Sequence, residues 1–508
     1  MRFRQAAWKR TEDVLEPTVF ELGTPGRGGT VIAKPDPEIV KVIGDVDGLV
    51  PKRMRRGKLN LPGMSEPQVA RHFSRLAQMN YGVDSGPYWL GSCTMKYNPK
   101  AIMRISSNNR LRRLHPFVPI EAAQHILRIM YELQEMLSSI TGLPHYSLQP
   151  AAGAQGELVG ALMIRAKHLD EGENQRDEMI IPVSAHGSNF ASAAMAGFKV
   201  IKIPTSDDGT LDIAALKSVV GERTAGIMIT NPNTLGIFES EILEISDLIH
   251  SSGGYVYYDG ANLNAILGWV KLSDMGVDVA HLNMHKTFAA PHGGGGPGAG
   301  AVGATDEFKD FLPIPLVKKS GDSFYLEYNV PKTVGKVRTF YGNPGVLIKS
   351  WAYLRMIGTE GLRKVSSIAV LNANYARKKL QDAGYKVPYG ADRPCKHEFV
   401  LSLEDLKEYG VRALDVAKAL IDRGVHPPTI YFPLIVKEAF MMEPTETDSL
   451  DDLDGYVEAM KEIRELALKN PELLRRAPEN AAVKRLNEVL ANRKPVLTWK
   501  MYQKVRKE

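Results

Sequence analysis

Between about residues 150 and 305, short runs of continuous apolar residues alternate with helical stretches, and this arrangement leaves the chain few folds to choose from. The runs are MIIPVSAH (179–186), FKVIKIP (198–204), TAGIMITNP (224–232), GYVYYDG (254–260), VAHLNM (279–284) and GAGAVGAT (298–305). A strand with one wet face alternates apolar and polar residues, whereas a run apolar throughout belongs to a strand covered on both faces. The expectation is an α/β layered domain, with mixed strand directions possible. In such sheets ligands sit beyond the carboxyl ends of strands. His186, Asp259 and Lys286 each fall at or just past such an end.

Lys286 stands in HLNMHKTFAAPHGGGGPGAG (281–300), where an apolar segment runs into the lysine and a glycine-rich loop follows. Asp259 closes GYVYYDG, 27 residues upstream. A lysine beside a carboxylate and a glycine-rich loop is what a pyridoxal phosphate enzyme needs. The amine makes the Schiff base, and the carboxylate keeps the pyridine nitrogen protonated so that the ring can accept electrons. Desolvation and nearby cations can depress a lysine pKa and make the amine nucleophilic. The bland alternatives are a surface lysine and an aspartate paired with an arginine, but the neighbours of Lys286 are apolar or glycine, and an unpaired carboxylate ending a buried strand would be costly.

Three further features suit the same cofactor. QPAAGAQGELVGALMIRAKHL (149–169) puts small residues just before a helix, so the backbone N–H groups of Gly153, Ala154 and Gln155 would bind a phosphate without a cationic side chain; close helix packing is the alternative. His186, in SAHGSNFASAAM (184–195), is a candidate to stack on the cofactor ring, although a lone histidine is usually structural. His285, directly before the lysine, is a candidate phosphate contact. HGGGGPGAG (292–300) lacks the GxxxxGK[ST] spacing of a nucleotide loop, and its lysine precedes the glycines. No metal site is expected.

Length and composition bound the rest. At 508 residues, 44% hydrophobic and 24% charged, the chain is of a size for about three domains with a sizeable core. The two cysteines, Cys93 and Cys395, exclude a disulfide scaffold and a cysteine-built zinc site, and favour a reducing compartment. No stretch of about 18 apolar residues is present, so no membrane span is expected. MRFRQAAWKRTEDVLEP has no apolar core of the kind a signal peptide carries, which makes the cytoplasm the expected location. The formal charge of +6 is concentrated in PKRMRRGK (51–58), RISSNNRLRRL (104–114) and the basic tail. These read first as solvated faces and second as docking surface for an acidic partner. No RNP-like, zinc-finger or helix-turn-helix signature accompanies them, so nucleic acid is not expected.

Four regions are expected. Residues 1–100 form an extended N-terminal arm and loop region, with a helix over 66–80 and a glycine-punctuated loop over 81–100. Residues 101–360 form the large α/β domain, opened by an amphipathic helix over 121–142 whose Ala123, Leu127, Met130, Leu133, Leu137 and Ile140 keep three-to-four spacing. Residues 361–475 form a smaller α+β domain with helices over 361–384, 412–424 and 450–470 and a strand over 397–403. Residues 476–508 form a helical, basic tail.

The blocks GSCTMKYNP (91–99), LQPAAGAQGE (148–157), SAHGSNFASAAM (184–195), TNPNTLGIFE (230–239), YYDGANLNAI (257–266), NMHKTFAAPHGGGGPG (283–298), HPPTIYFPL (426–434) and EPTET (443–447) closely resemble the carboxyl-terminal subunit of the two-subunit glycine dehydrogenase (decarboxylating), the P-protein of the glycine cleavage system. The resemblance spans most of the chain. It implies the aspartate-aminotransferase-like type I fold of pyridoxal-phosphate-dependent transferases, a large domain with a smaller C-terminal one, with the cofactor held covalently by Lys286. It also implies loss of the glycine carboxylate as CO2, transfer of the aminomethyl group to the lipoyl arm of the H-protein, and a companion subunit 1, giving an α2β2 heterotetramer. Ser92 and Thr94 in the SCTMK loop, and Arg338 in VRTFYGNPG, are the substrate-contact candidates, with ordinary loop packing the alternative for the first two. Two other readings stay open at this point: another type I enzyme, such as an aminotransferase or desulfurase, and a non-catalytic scaffold subunit.

Overall fold

A computed structural model describes residues 16–24, 33, 35–44, 49–55, 61–115, 118–293, 298–481 and 483–506. About half of the expected N-terminal arm before residue 66, and the glycines at 294–296, lie outside the described residues. The chain forms two compact units, Met1–Gly82 with Ala477–Glu508, and Val83–Arg476.

The first unit is built from short helices. The helix expected over 66–80 is Glu66–Gln78, started by Ser65, whose N–H donates to Gln68 Oε1 at 2.9 Å. Glu16 ties to this helix through Arg75 and His72 at 2.7 and 2.9 Å. Phe20 stacks on Trp499 with ring centroids 4.9 Å apart. Val42, Ile43 and Leu497 stay mostly exposed.

The second unit is layered around a seven-stranded sheet of order β1-β7-β6-β5-β4-β2-β3. Its strands are β1 (His145–Ser147), β2 (Glu178–Pro182), β3 (Lys199–Ile203), β4 (Thr224–Thr230), β5 (Tyr255–Gly260), β6 (Val279–Asn283) and β7 (Gly300–Ala304). Strands β2 to β6 are parallel, and β7 pairs antiparallel with both β6 and β1. All six runs singled out in the sequence are strands. Successive residues point to opposite faces, and both faces are covered except at the edge strand β3, where Lys199 and Lys202 are exposed and Val200 and Ile201 half-buried. Ile180, Ile227, Ile229, Val256 and Tyr258 enter one core with the helix Ile120–Thr141, while Met179, Ile181, Met228 and Tyr257 enter another with the helix Gly153–Asp170. Burial on both sides is what continuous apolarity requires.

The Ile120–Thr141 helix buries Ala123, Leu127, Met130, Leu133 and Leu137, and Gly142 ends it in the left-handed conformation, φ 77°, as a C-terminal glycine does at little steric cost. The Gly153–Asp170 helix lies close on the sheet. A Cβ on Gly160 would come within 2.1 Å of the Tyr257 ring, and one on Gly156 within 2.8 Å of His281 Cβ.

Toward the C-terminus, strands β10 (Phe399–Ser402), β11 (Thr429–Ile430) and β12 (Ala439–Met442) form a small antiparallel sheet of order β10-β12-β11. The helices Ala413–Asp422 and Leu450–Lys469 accompany it. The helix expected over 361–384 is the second half of Pro344–Asp382, which is interrupted at Gly358, φ 64°. A two-stranded hairpin, β8 (Leu316–Ser320) with β9 (Ser323–Glu327), precedes it. No helix among the described residues is long and apolar enough to cross a membrane.

Candidate active site

The parallel strands place their carboxyl ends together, and the polar residues of the chain's centre gather there. Asp259 and His281 are register partners on β5 and β6, with the Asp259 carboxylate 3.4 Å from His281 Nε2. Asn189 Nδ2 and the backbone N–H of Ala261 each donate to this carboxylate at 2.9 Å. Burial alone would raise the Asp259 pKa, but His281, Lys286 and these donors outweigh it and hold the carboxyl below its ordinary range. His281 is in turn fixed by the Tyr257 hydroxyl at 2.6 Å and Asn283 Oδ1 at 2.8 Å.

A second carboxyl lies beside the first. Ligand atoms of Glu157, Asp259 and His281 come within 4.8 Å of one another. Burial and the Asp259 charge push Glu157 up to about 8, so at neutral pH Glu157 keeps its proton and Asp259 its charge. Glu157 Oε1 accepts from Ser188 Oγ at 3.0 Å, and Ser188 Oγ lies 2.6 Å from His186 Nδ1. His186 caps the helix Gly187–Met195, and its ring meets Phe432 edge-on at 5.5 Å.

Lys286 sits on the turn after β6. Its Nζ donates to the Ser92 carbonyl at 2.7 Å. The residues flanking it carry buried polar atoms with no partner among the described residues: His285 Nδ1, Thr287 Oγ1 and, farther along, His292 Nε2. Burial drives His285 down to about 3 and His292 to about 4, so both imidazoles are neutral. The helix beginning at Gly153 has no side-chain cap on its N-terminus, which leaves its first backbone N–H groups, those of Gly153, Ala154 and Gln155, available to an anion. That terminus meets β6 and the Lys286 turn. A Cβ on Gly153 would strike Asn283, and one on Gly298 would come within 2.9 Å of His285 Nδ1 and 3.6 Å of the Ala151 carbonyl. The Gln155 side chain is already engaged, accepting from Ala151 N–H at 2.6 Å and donating to the Val337 carbonyl at 2.9 Å.

Lys286, Asp259, His186, His285 and the 153–155 turn therefore converge on the end of the sheet. The substrate-contact candidates Ser92 and Thr94 lie here too. Ser92 faces Lys286 with its carbonyl, and the Thr94 hydroxyl is bound to Glu443. Arg338 is half-buried in the loop whose Val337 is tied to Gln155. Glu157, Asn189, His281, Glu398 and Glu443 are not among the residues the sequence marks as candidates, although all but Glu398 lie inside motifs or apolar runs that it does mark.

These residues suit pyridoxal phosphate. They supply an amine, an ionised carboxylate held by three groups, unpartnered polar atoms on both sides of the amine, and an uncapped helix N-terminus for the phosphate. Fold and site define a type I pyridoxal-phosphate-dependent enzyme. A family profile described as "Aminotransferase class-V" matches residues 160–316, and one described as "Glycine dehydrogenase, C-terminal domain" matches 365–481. The chain is 55% identical to the "Probable glycine dehydrogenase (decarboxylating) subunit 2" of Pyrococcus abyssi, over 100% of this chain and 99% of that protein. It is 51% identical to the protein of the same name from Caldanaerobacter subterraneus, over 95% and 98%. Among solved structures, an inhibitor-bound glycine decarboxylase (P-protein) of the glycine cleavage system superposes with a TM-score of 0.71 at 21% identity, covering 85% of this chain and 100% of that one. A cysteine desulfurase from Thermococcus onnurineus gives 0.59 at 15%, covering 75% and 95%. The chain belongs to the glycine dehydrogenase (decarboxylating) subunit 2 family.

Proposed function

We propose that this chain is the cofactor-bearing subunit of a glycine-cleaving P-protein in the cytoplasm, working with a companion subunit 1 in an α2β2 assembly. It removes the carboxylate of glycine as CO2 and passes the aminomethyl group to the lipoyl arm of the H-protein. The observation that carries this reading is the convergence of Lys286 and the held, ionised Asp259 at one end of the sheet, in a chain 55% identical along its length to a glycine dehydrogenase subunit.

Each residue has a part. Lys286 supplies the amine that holds the cofactor covalently. Asp259, oriented by Asn189, Ala261 N–H and His281, keeps a proton on the ring nitrogen. Neutral His285 and the N–H groups of Gly153 to Gln155 take the phosphate, where the helix dipole favours a dianion. His186, oriented through Ser188, would stand against the ring. When bound, pyridoxal phosphate supplies an electron sink for the pair left behind as the carboxylate departs. A site lined by buried, neutral imidazoles favours that departure, since it solvates the leaving carboxylate poorly. Ser92, Thr94 and Arg338 remain the candidates for substrate contact.

A desulfurase of the same fold needs a reactive cysteine thiolate. Burial pushes Cys93 up to about 11 and Cys395 to about 12, which keeps both thiols protonated at neutral pH and weighs against that reading. The test is exchange of labelled bicarbonate into glycine by the two co-expressed subunits, with lipoylated H-protein. Stimulated exchange is the expected result; keto-acid-dependent transamination without H-protein would sink the reading.

A further inference from the structure

The loop Gly91–Thr94 is bent in a way its residues do not favour. Ser92 and Thr94 have φ of 64° and 47°, the left-handed region that costs a residue with a side chain on the order of 1 kcal/mol or more. Two carboxyls from the small sheet hold it. Glu398 immediately precedes β10 and Glu443 immediately follows β12, and the pairing of Phe399 with Met442 brings the two to the same end. Glu398 Oε2 accepts from the Ser92 N–H at 2.8 Å, and Glu443 Oε2 accepts from the Cys93 and Thr94 N–H groups, each at 2.9 Å. The Thr94 hydroxyl donates to Glu443 Oε1. Glu398 Oε1 also accepts from Asn262 Nδ2 at 3.0 Å, which ties the clamp to the turn after Asp259.

The loop lies flat on this sheet end. Leu90 bridges to Met442, and a Cβ on Gly91 would come within 2.3 Å of the Met441 side chain. Both carboxyls are fully buried, and His397, whose ring nitrogens have no hydrogen-bond partner among the described residues, lies with Nε2 3.9 Å from Glu398 and 3.6 Å from Glu443. This arrangement has a consequence for the site. It turns the Ser92 carbonyl toward Lys286, whose Nζ donates to it at 2.7 Å.

We propose that Glu398 and Glu443 are positioning residues: by holding the Ser92–Thr94 bend they fix the Ser92 carbonyl as the seat of the Lys286 amino group whenever that amine is not bonded to the cofactor. The amine must leave the cofactor when substrate arrives and return when product goes, and a fixed acceptor keeps it aimed. The inference rests on the reading of Lys286 as the cofactor lysine. A glutamine keeps one oxygen to accept from the loop N–H groups and gives up only the second acceptor, so it retains the bonds that hold the bend.

The experiment uses the full chain with its companion subunit, stripped of cofactor. Acylation of Lys286 by an amine-reactive ester is followed by peptide mass, with hydrogen exchange over the loop peptide. We expect E398A and E443A to acylate Lys286 and exchange the loop about tenfold faster or more, the effect of losing bonds to buried N–H groups. E398Q and E443Q should stay within about threefold of wild type. Should the alanine variants not fold, T94V removes one bond only and should shift both readouts a few-fold in the same direction. Unchanged acylation and loop exchange in folded E398A and E443A, or in T94V, would overturn the proposal. Stoichiometric metal in the wild type that disappears in E443A would overturn it as well, assigning the cluster to a cation. A chain that never takes up pyridoxal phosphate would defeat the functional reading separately, since the acylation needs none.

Discussion

Two carboxyls lie side by side at the centre of the site, and their surroundings give them opposite protonation. Asp259 accepts from Asn189, the Ala261 N–H and Thr230 and is faced by His281 and Lys286, whereas Glu157 has one oxygen with no partner among the described residues and Asp259 for a neighbour. D259N keeps the shape and removes the charge. We expect it to bind cofactor, seen by absorbance, while bicarbonate exchange falls on the order of a hundredfold or more. Glu157 is raised from 4.5 to about 8, so its stabilising contribution is complete below its unfolded pKa and is lost as pH rises through about 8. Thermal unfolding from pH 5 to 9 should show the wild type losing stability toward the alkaline end relative to E157Q; parallel curves would remove Glu157 from the account. Lys286 and Asp259 were legible because each breaks an apolar run. Glu157 was not, because it sits in the first turns of a helix and acquires its partner only when that helix lies across β5 and β6.

Among the elements, the Gly153–Asp170 helix is set by what its glycines leave out. The Gly160 Cα faces the Tyr257 ring, and G160A should destabilise the chain by about 1–3 kcal/mol through overpacking, measured as a lower denaturant midpoint. Lys96 joins three elements. Its Nζ donates to Glu446 Oε1 at 2.6 Å, Asn264 Oδ1 at 2.8 Å and the Thr287 carbonyl at 3.1 Å, and it is 2% exposed. K96M leaves Glu446 buried without its cation, a loss of about 3–5 kcal/mol; a variant as stable as wild type would show the pair to be idle. The six strands and the 121–142 helix could be read from the sequence because their signals are local: short apolar runs for the strands, three-to-four spacing for the helix. Strand β1, only three residues long, and the β8–β9 hairpin, carrying Val317–Lys318–Lys319 on a partly exposed ribbon, have no such signal. Their pairing depends on partners far along the chain.

At the scale of the whole molecule, the relatives that match end to end are named as subunits, and the proposed chemistry belongs to an assembly. We expect the chain to co-purify with a companion subunit and the pair to exchange bicarbonate at least tenfold faster than this chain alone; full activity in the isolated chain would remove the companion from the mechanism. The most direct test of the central claim is borohydride reduction of the purified protein followed by peptide mapping. Our account predicts a yellow protein that bleaches on reduction, with one pyridoxyl group per chain on Lys286, and none in K286A. A colourless protein that takes up no cofactor, or a pyridoxyl group found on Lys96 or any other lysine, would contradict it.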